Sequence, residues 1–83
     1  MKSIIYSTDA RKVLDRIPAN ESARIRGKIK QYAEGPSSLA NNVKALVGTS
    51  FVRLRVGSWR VVMDDQVQVL GIVKVGPRGS VYD

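Results

Sequence analysis

The residues of this sequence that could do chemistry are six cations and one tyrosine: Lys44, Arg53, Arg55, Arg60, Lys74, Arg78 and Tyr82. Guanidinium and ammonium groups bind phosphate oxygens, and an amine or a phenol can carry a proton. The set therefore indicates a site for a phosphate-bearing substrate. The alternative is a solvated basic surface, which is common in basic proteins.

The overall charge favours a polyanionic partner. The chain has 14 Lys and Arg residues against 7 Asp and Glu, a net charge of +7 over 83 residues. Nucleic acid is the first candidate, followed by an acidic protein or a membrane surface. The sequence has no histidine and no cysteine, so His-based catalysis, disulfides and cysteine-bound metals are excluded. We expect no cofactor, no membrane-spanning segment and a cytoplasmic location.

Two alternating runs on either side of Gly57-Ser58 predict a tight hairpin. In the predicted register Val56 faces Trp59, Leu54 faces Val61 and Val52 faces Met63, so these six side chains form one apolar face. The other face has Arg53 opposite Val62 and Arg55 opposite Arg60. Like charges at opposed positions are destabilising. The Arg55/Arg60 pair therefore favours an anion site on that face.

The first half of the chain predicts a short strand and two helices. Residues 3–7 are the strand, and residues 9–17 have the apolar spacing of an amphipathic helix, with Thr8 or Asp9 as its N-cap. Pro18 ends this helix and is expected in the first turn of a second helix over Ala19–Glu34. Gly35-Pro36 ends the second helix.

The second half predicts a sheet. Residues 37–42 are expected as a loop, residues 43–48 as a short extended piece, residues 64–66 as a turn and residues 67–75 as a further strand that Gly76-Pro77 breaks. The order β-α-α-β-β-β predicts an α+β fold with two N-terminal helices on one face of a small antiparallel-rich sheet, in a single domain of residues 1–83. The arginine face is expected to stay open.

The segments KALVGTSFVRLRVGSWRVV and VLGIVKVGPRGSVY resemble the RelE/ParE superfamily of bacterial type II toxins, in its RelE-like branch. Members typically show a Lys-x-Leu-x-Gly run, a Tyr-Arg-Leu-Arg-Val-Gly-Asp-Tyr-Arg-Val hairpin, a Val-Gly-x-Arg segment and a terminal Tyr. The Ile-Pro and the helix pair also fit, so the resemblance covers essentially the whole chain. It implies a microbial RNase-like fold and a ribosome-dependent mRNA endonuclease, or mRNA interferase, that a cognate antitoxin holds inactive.

The resemblance assigns roles to individual residues. Lys44 matches the lysine of the Lys-x-Leu-x-Gly run, Arg60 the catalytic or phosphate-binding arginine after the hairpin turn, Arg78 the arginine after Val-Gly, and Tyr82 the terminal tyrosine. The sequence departs from the family pattern at Val47, where many members have a second lysine, at Phe51-Val52, at Pro77 and at Gly79-Ser80.

The resemblance implies an endoribonuclease that leaves a 2′,3′-cyclic phosphate, and the RNA carries its own nucleophile, the 2′-OH, so that no metal is required. Arg60 and Arg78 would hold the non-bridging phosphate oxygens, and Lys44 or Tyr82 would move protons. Arg53, Arg55 and Lys74 would bind further RNA phosphates. With no His and no catalytic carboxylate, we expect weak activity on free RNA and positioning by the ribosome.

Two other functions stay open. One is a ParE-like DNA gyrase inhibitor without nuclease activity, against which the Arg78/Tyr82 ending argues. The other is a catalytically weak regulatory module that binds an antitoxin. The expected partners are an antitoxin with acidic residues, the ribosome and mRNA, and operator DNA through the antitoxin.

Overall fold

The computed structural model describes residues 1–79 of the chain. The elements in order are β1 (Ser3–Tyr6), α1 (Thr8–Arg16), α2 (Ala19–Glu34), a 3₁₀ helix (Pro36–Asn42), β2 (Val43–Ala45), β3 (Phe51–Val56), β4 (Trp59–Asp65) and β5 (Val69–Pro77). The five strands form one sheet in the order β1-β5-β4-β3-β2. β1 runs parallel to β5 and the other neighbours are antiparallel. The predicted antiparallel-rich α+β fold is confirmed.

The β3–β4 hairpin has the predicted register. Val56 pairs with Trp59, Leu54 with Val61, and Arg55 with Arg60. Gly57 has a φ of +59°, whereas Ser58 has no positive φ. A turn with its left-handed residue in the first central position is of the II′ type, which suits glycine there and matches the twist of the flanking strands.

The core lies between the two helices and one face of the sheet. Leu54, Val61 and Met63 are completely buried, as the alternation predicted. Ala10 and Leu14 from α1, and Ile25, Ile29 and Tyr32 from α2, pack in the same cluster. The helices α1 and α2 therefore cover the apolar face of the hairpin and leave the face with the arginines uncovered. None of the helices within residues 1–79 has an apolar stretch long enough to cross a bilayer.

Helix α1 begins one residue earlier than predicted. Its N-cap is Ser7, whose Oγ accepts a hydrogen bond of 3.0 Å from the Ala10 N–H, so the prediction of Thr8 or Asp9 was wrong. Pro18 is the residue before α2 and not part of its first turn. The bounds of α2 are those predicted.

The segment predicted as a loop is a 3₁₀ helix with a kink at Leu39, whose backbone is not helical and whose side chain anchors the segment. Leu39 is only 4% exposed and belongs to the core cluster. Burial of one leucine side chain provides roughly 1.5–3 kcal/mol, enough to hold a short polar segment on the domain. The extended piece expected after this segment is β2, which pairs with β3.

The prediction that Asp64 and Asp65 lie in the turn was wrong, because both residues belong to the end of β4. Tyr32 Oη donates to Asp65 Oδ2 at 2.8 Å, and Lys2 Nζ forms an ion pair with Asp65 Oδ1. Asp64 Oδ1 accepts a hydrogen bond of 2.8 Å from Gln66 Nε2. Because both carboxylates have partners, the strand continues to Asp65, and residues 66–68 form the turn.

Candidate phosphate-binding site

Four of the predicted cations line one shallow depression of about 260 Å³ on the open face of the sheet. Strand alternation places Arg53 and Arg55 on this face of β3 and Arg60 on the same face of β4. β2 adds Lys44, which pairs directly with Arg53. The structure therefore brings together residues from three strands that the sequence separates.

Among residues 1–79, those that line this depression include no acidic residue. They are Asn41, Asn42, Val43, Lys44, Arg53, Arg55 and Arg60. The two asparagines come from the end of the 3₁₀ helix, and the sequence prediction did not include them. The sequence did offer a signal for them. Both asparagines directly precede the strand that contains Lys44, and amide N–H groups also donate to phosphate oxygens.

The hairpin turn holds the side chain of Arg60 in place. Arg60 Nη1 donates to the Gly57 carbonyl oxygen at 3.0 Å and to the Trp59 carbonyl oxygen at 2.9 Å. One end of the guanidinium is thus fixed by the backbone of its own hairpin. An arginine that is already ordered loses less side-chain entropy when it binds an anion.

The environment of Arg60 is electropositive. Partial loss of solvent around its guanidinium, followed by the positive charges of Arg78, Arg55 and Arg53, lowers the pKa of Arg60 from its ordinary value. The group stays protonated at neutral pH, as arginines in proteins do. A bound phosphate would offset this mutual repulsion, so the cluster favours an anion.

The same turn also positions Arg78. The Arg78 N–H donates to the Ser58 carbonyl oxygen at 2.8 Å, which places the residue after β5 beside the turn. The carbonyl groups of Gly57, Ser58 and Trp59 therefore accept hydrogen bonds from the two predicted phosphate-binding arginines. Tyr82, the predicted proton carrier, lies outside the described residues.

Helix α2 supports the turn from the other side. Trp59 Nε1 donates to Glu21 Oε1 at 3.3 Å, and the Trp59 ring packs partly buried against the core, as predicted. A Cβ at Gly57 would lie 3.0 Å from Arg24 Nη2, so the Arg24 side chain lies against the turn. The sequence prediction did not include Glu21 or Arg24, because nothing in the α2 periodicity connects them with a hairpin more than thirty residues later.

Lys74 does not line the depression. Val62 pairs with Lys74 and Met63 with Ile72, so Val73 is an extra residue in β5, a β-bulge. After this bulge Lys74 lines a second depression of about 210 Å³ with Asp9, Lys12, Val13, Arg16 and Val75. The site that the structure assembles is therefore Lys44, Arg53, Arg55 and Arg60, with Arg78 beside Arg60.

The described residues offer no cluster of metal ligands. No three His, Cys, Asp or Glu side chains within residues 1–79 lie together as a metal ion would require. What the cluster itself presents is a set of N–H donors with positive charge. Such a set can bind and polarise phosphate oxygens and stabilise negative charge that develops on them.

Comparison with known proteins finds similarity in structure only. No protein-family model matches the chain. No curated protein sequence matches it. The archaeal RelE-RelB complex from Pyrococcus horikoshii OT3 contains a chain with 24% identity and a TM-score of 0.77, over 95% of this chain and 97% of that one.

Two further solved structures have a similar fold. A chain of the intact E. coli RelBE toxin-antitoxin complex has 17% identity and a TM-score of 0.75, over 93% of this chain and 96% of that chain. The YoeB/ParE toxin from Agrobacterium tumefaciens has 16% identity and a TM-score of 0.73, over 94% and 99%. The fold implied by the sequence resemblance is confirmed: the chain has the fold of the RelE and YoeB/ParE toxins.

Proposed function

We propose that this protein is the toxin of a type II toxin–antitoxin pair and a metal-independent endoribonuclease that cuts mRNA in the decoding site of the ribosome. The observation that carries the proposal is the juxtaposition of Lys44, Arg53, Arg55 and Arg60 in one depression whose described lining includes no residue of α1 or α2. The toxin fold and the net charge of +7 support it.

The proposed reaction needs no external nucleophile. The 2′-oxygen attacks the adjacent phosphorus, the bond from phosphorus to the 5′-oxygen breaks, and the products are a 2′,3′-cyclic phosphate and a 5′-hydroxyl. One proton leaves the 2′-OH and one reaches the departing 5′-oxygen. Arg60 and Arg78 would hold the non-bridging oxygens, on which negative charge develops in the transition state.

The remaining cations would bind the RNA chain and move protons. Arg53 and Arg55 lie on the same strand two residues apart, so they would contact phosphates on either side of the scissile bond. Lys74, on the far side of the bulge, would contact a more distant phosphate. Lys44 and Tyr82 would exchange the two protons, since an amine and a phenol can both donate and accept, whereas arginine does not.

A dependence on the ribosome would follow from this set of residues. Three of the four cations in the depression are arginines, which bind phosphate well but are poor proton carriers. Alignment of the 2′-oxygen, the phosphorus and the 5′-oxygen would then come from the ribosome holding the mRNA. Such positioning provides on the order of 7 kcal/mol or more in well-oriented reactions.

The proposed protein partner is an antitoxin. Chains of this fold occur in toxin–antitoxin complexes from Pyrococcus horikoshii OT3 and from E. coli. An antitoxin segment rich in acidic residues would complement the cluster and compete with RNA for it. Operator DNA would be reached through the antitoxin.

The composition of the same cluster favours a second candidate, a toxin that binds its target without catalysis. In the described part of the chain, the depression is lined by one lysine, three arginines, two asparagines and a valine, so Lys44 is the only candidate proton carrier among these lining residues. A gyrase inhibitor or a regulatory module that only binds an antitoxin would need charge and shape alone.

One experiment separates these functions. Purified protein is added to ribosomes holding a defined mRNA, and the RNA ends are mapped and tested for a 2′,3′-cyclic phosphate. In parallel, DNA gyrase supercoiling is measured with the same protein. We expect cleavage with the wild type, loss with Arg60→Ala/Arg78→Ala, and full cleavage with the charge-matched Arg11→Ala on an exposed position of α1. Intact mRNA together with inhibited gyrase would overturn the proposal.

A further inference from the structure

We propose that the open face contains, next to the phosphate-binding cluster, a subsite for one RNA base, formed by Phe51 and Asp64, which prefers bases with an exocyclic amino group. The inference rests on the proposed function, because it assumes that RNA phosphates occupy the cluster. It adds recognition of a base, which neither the fold nor the charge provides.

Phe51 lies on the face of the cations and not on the core side. It precedes Arg53 by two positions in β3, so the two side chains project from the same face about 6.6–6.8 Å apart along the strand. Its neighbour Val52 packs against the core, whereas Phe51 is only partly buried and pairs across the hairpin with Asp64. An aromatic ring beside a phosphate-binding arginine is the arrangement on which single-stranded RNA bases stack.

Asp64 is held in a defined orientation beside this ring. Ser50 Oγ donates to Asp64 Oδ1 at 2.5 Å, and Gln66 Nε2 donates to the same oxygen at 2.8 Å and to Ser50 Oγ at 3.1 Å. Within residues 1–79, the hydrogen bonds of this carboxylate all go to Oδ1. Within this part of the chain Oδ2 therefore has no hydrogen-bond donor, and the pairing with Phe51 places Asp64 on the open face.

The sheet leaves room for a flat group at this point. On β5 the partner of Asp64 is Gly71, and a Cβ there would lie 3.6 Å from Asp64 Cβ. Since glycine has no side chain, the row formed by Phe51, Asp64 and Gly71 has bare backbone at one end. Ile5 pairs with Gly71 on the far side and is 57% exposed, which extends the row with apolar surface.

The chemistry of the row sets the base preference. A base stacked on Phe51 would turn one edge toward Asp64 Oδ2, which can only accept. Cytosine, adenine and guanine present an amino group to such an acceptor. Uracil presents a single N–H between two carbonyl oxygens, which the carboxylate repels, so uracil is disfavoured.

The test uses RNA that the protein can bind but cannot cut. Short 2′-O-methyl oligonucleotides that differ at one position, including a version without the base at that position, are titrated by fluorescence anisotropy at one ionic strength. We expect Phe51→Ala to weaken binding of the amino-bearing oligonucleotides about 5-fold or more, the loss of a stacked base. Binding of the abasic oligonucleotide should not change.

Two further variants separate the subsite from the cluster. Asp64→Asn should remove the preference for amino-bearing bases over uracil, because an amide both donates and accepts. Arg55→Ala should weaken all oligonucleotides equally, including the abasic one. Val67→Ala, at an apolar position that is 88% exposed in the β4–β5 turn, is the control for loss of apolar surface.

The outcomes distinguish failure of the base subsite from failure of the phosphate site. Binding that Phe51→Ala weakens equally for abasic and normal RNA, or that shows no base preference in the wild type, would overturn the subsite and leave the phosphate site standing. Oligonucleotide binding that Arg55→Ala and Arg60→Ala leave intact would instead overturn the phosphate site itself. Thermal melts of each variant show whether a loss of binding comes from unfolding.

Discussion

Arg55 of β3 and Arg60 of β4 are directly opposed on the open face of the sheet. Opposed Cα atoms in an antiparallel pair lie about 4.5–5.5 Å apart, and like charges at such positions destabilise a sheet. The protein therefore carries a local cost in stability at its candidate site. A cost of this kind is typical of binding sites whose charges complement a ligand and repel one another.

We expect Arg55→Ala to make the fold slightly more stable and the protein less toxic. Removal of one like charge should leave the free energy of unfolding unchanged or raise it by about 0.2–1 kcal/mol, the scale of cross-strand pairs. Growth inhibition should fall because a side chain that binds phosphate is lost. Urea unfolding and a growth assay measure the two effects, with Arg11→Ala as the charge-matched control. A loss of stability greater than that of the control would show that the opposed pair is not repulsive.

Leu54→Ala should destabilise the domain by about 2–5 kcal/mol, the usual cost of deleting a buried leucine. Leu54 is completely buried and lies at the centre of the hairpin's apolar face. For a small domain this is a large share of the total stability. Denaturant melts test it, and Val67→Ala, which removes an exposed apolar side chain, should change little. A loss under about 0.5 kcal/mol for Leu54→Ala would contradict the packing described.

Tyr32 should make stability depend on pH at the alkaline end. Burial, followed by its hydrogen bond to Asp65 and the negative charge of Asp65, raises the pKa of Tyr32 from 10.0 to about 12. A pKa that is higher in the folded state means that the folded protein holds this proton more tightly. The stabilisation is therefore complete below about pH 10 and is lost as the pH rises from about 10 to 12.

Unfolding of the wild type and of Tyr32→Phe at pH 8, 10, 11 and 12 checks this dependence. The difference in unfolding free energy between the two proteins should be constant from pH 8 to 10 and should shrink above that. The variant lacks only the Tyr32 hydroxyl, so the difference reports the contribution of that group and of its hydrogen bond to Asp65. A difference that grows with pH would mean that the sign is reversed.

Tyr82→Phe tests the proton carrier predicted from the sequence, Tyr82, which lies outside the described residues. If the phenol exchanges a proton in the reaction, cleavage of ribosome-bound mRNA should fall by about 10²-fold or more while RNA binding is kept. A single-turnover cleavage assay combined with anisotropy separates the two effects. Cleavage at the wild-type rate would assign Tyr82 to stacking and leave Lys44 as the proton carrier.

The hairpin was predictable to the residue, because alternation and a Gly-Ser turn leave one register that buries six apolar side chains. The same reasoning placed Arg53, Arg55 and Arg60 on one face. The position of α2 and the identity of its buried side chains also followed from its apolar periodicity.

The position of Lys74 was not predictable, because it depends on the bulge at Val73. Two adjacent residues that face the same way break the alternation on which the prediction rested, and no local residue preference marks the bulge. The contacts of Asp65 were missed for a similar reason. Aspartate favours turns, but a tyrosine from α2 and a lysine before β1 satisfy it within a strand.

The parallel pairing of β1 with β5 has a kinetic consequence. The β3–β4 hairpin closes over a two-residue turn, whereas Ser7 Oγ, just after β1, donates to the Val73 carbonyl oxygen across 66 residues of sequence. Local hairpins form in microseconds, and distant pairings form later because the chain must first close a long loop. β1 should therefore be the last strand to dock and the first to detach. Since Lys44, Arg53, Arg55 and Arg60 lie on β2, β3 and β4, a molecule that has lost its first strand would still present them together.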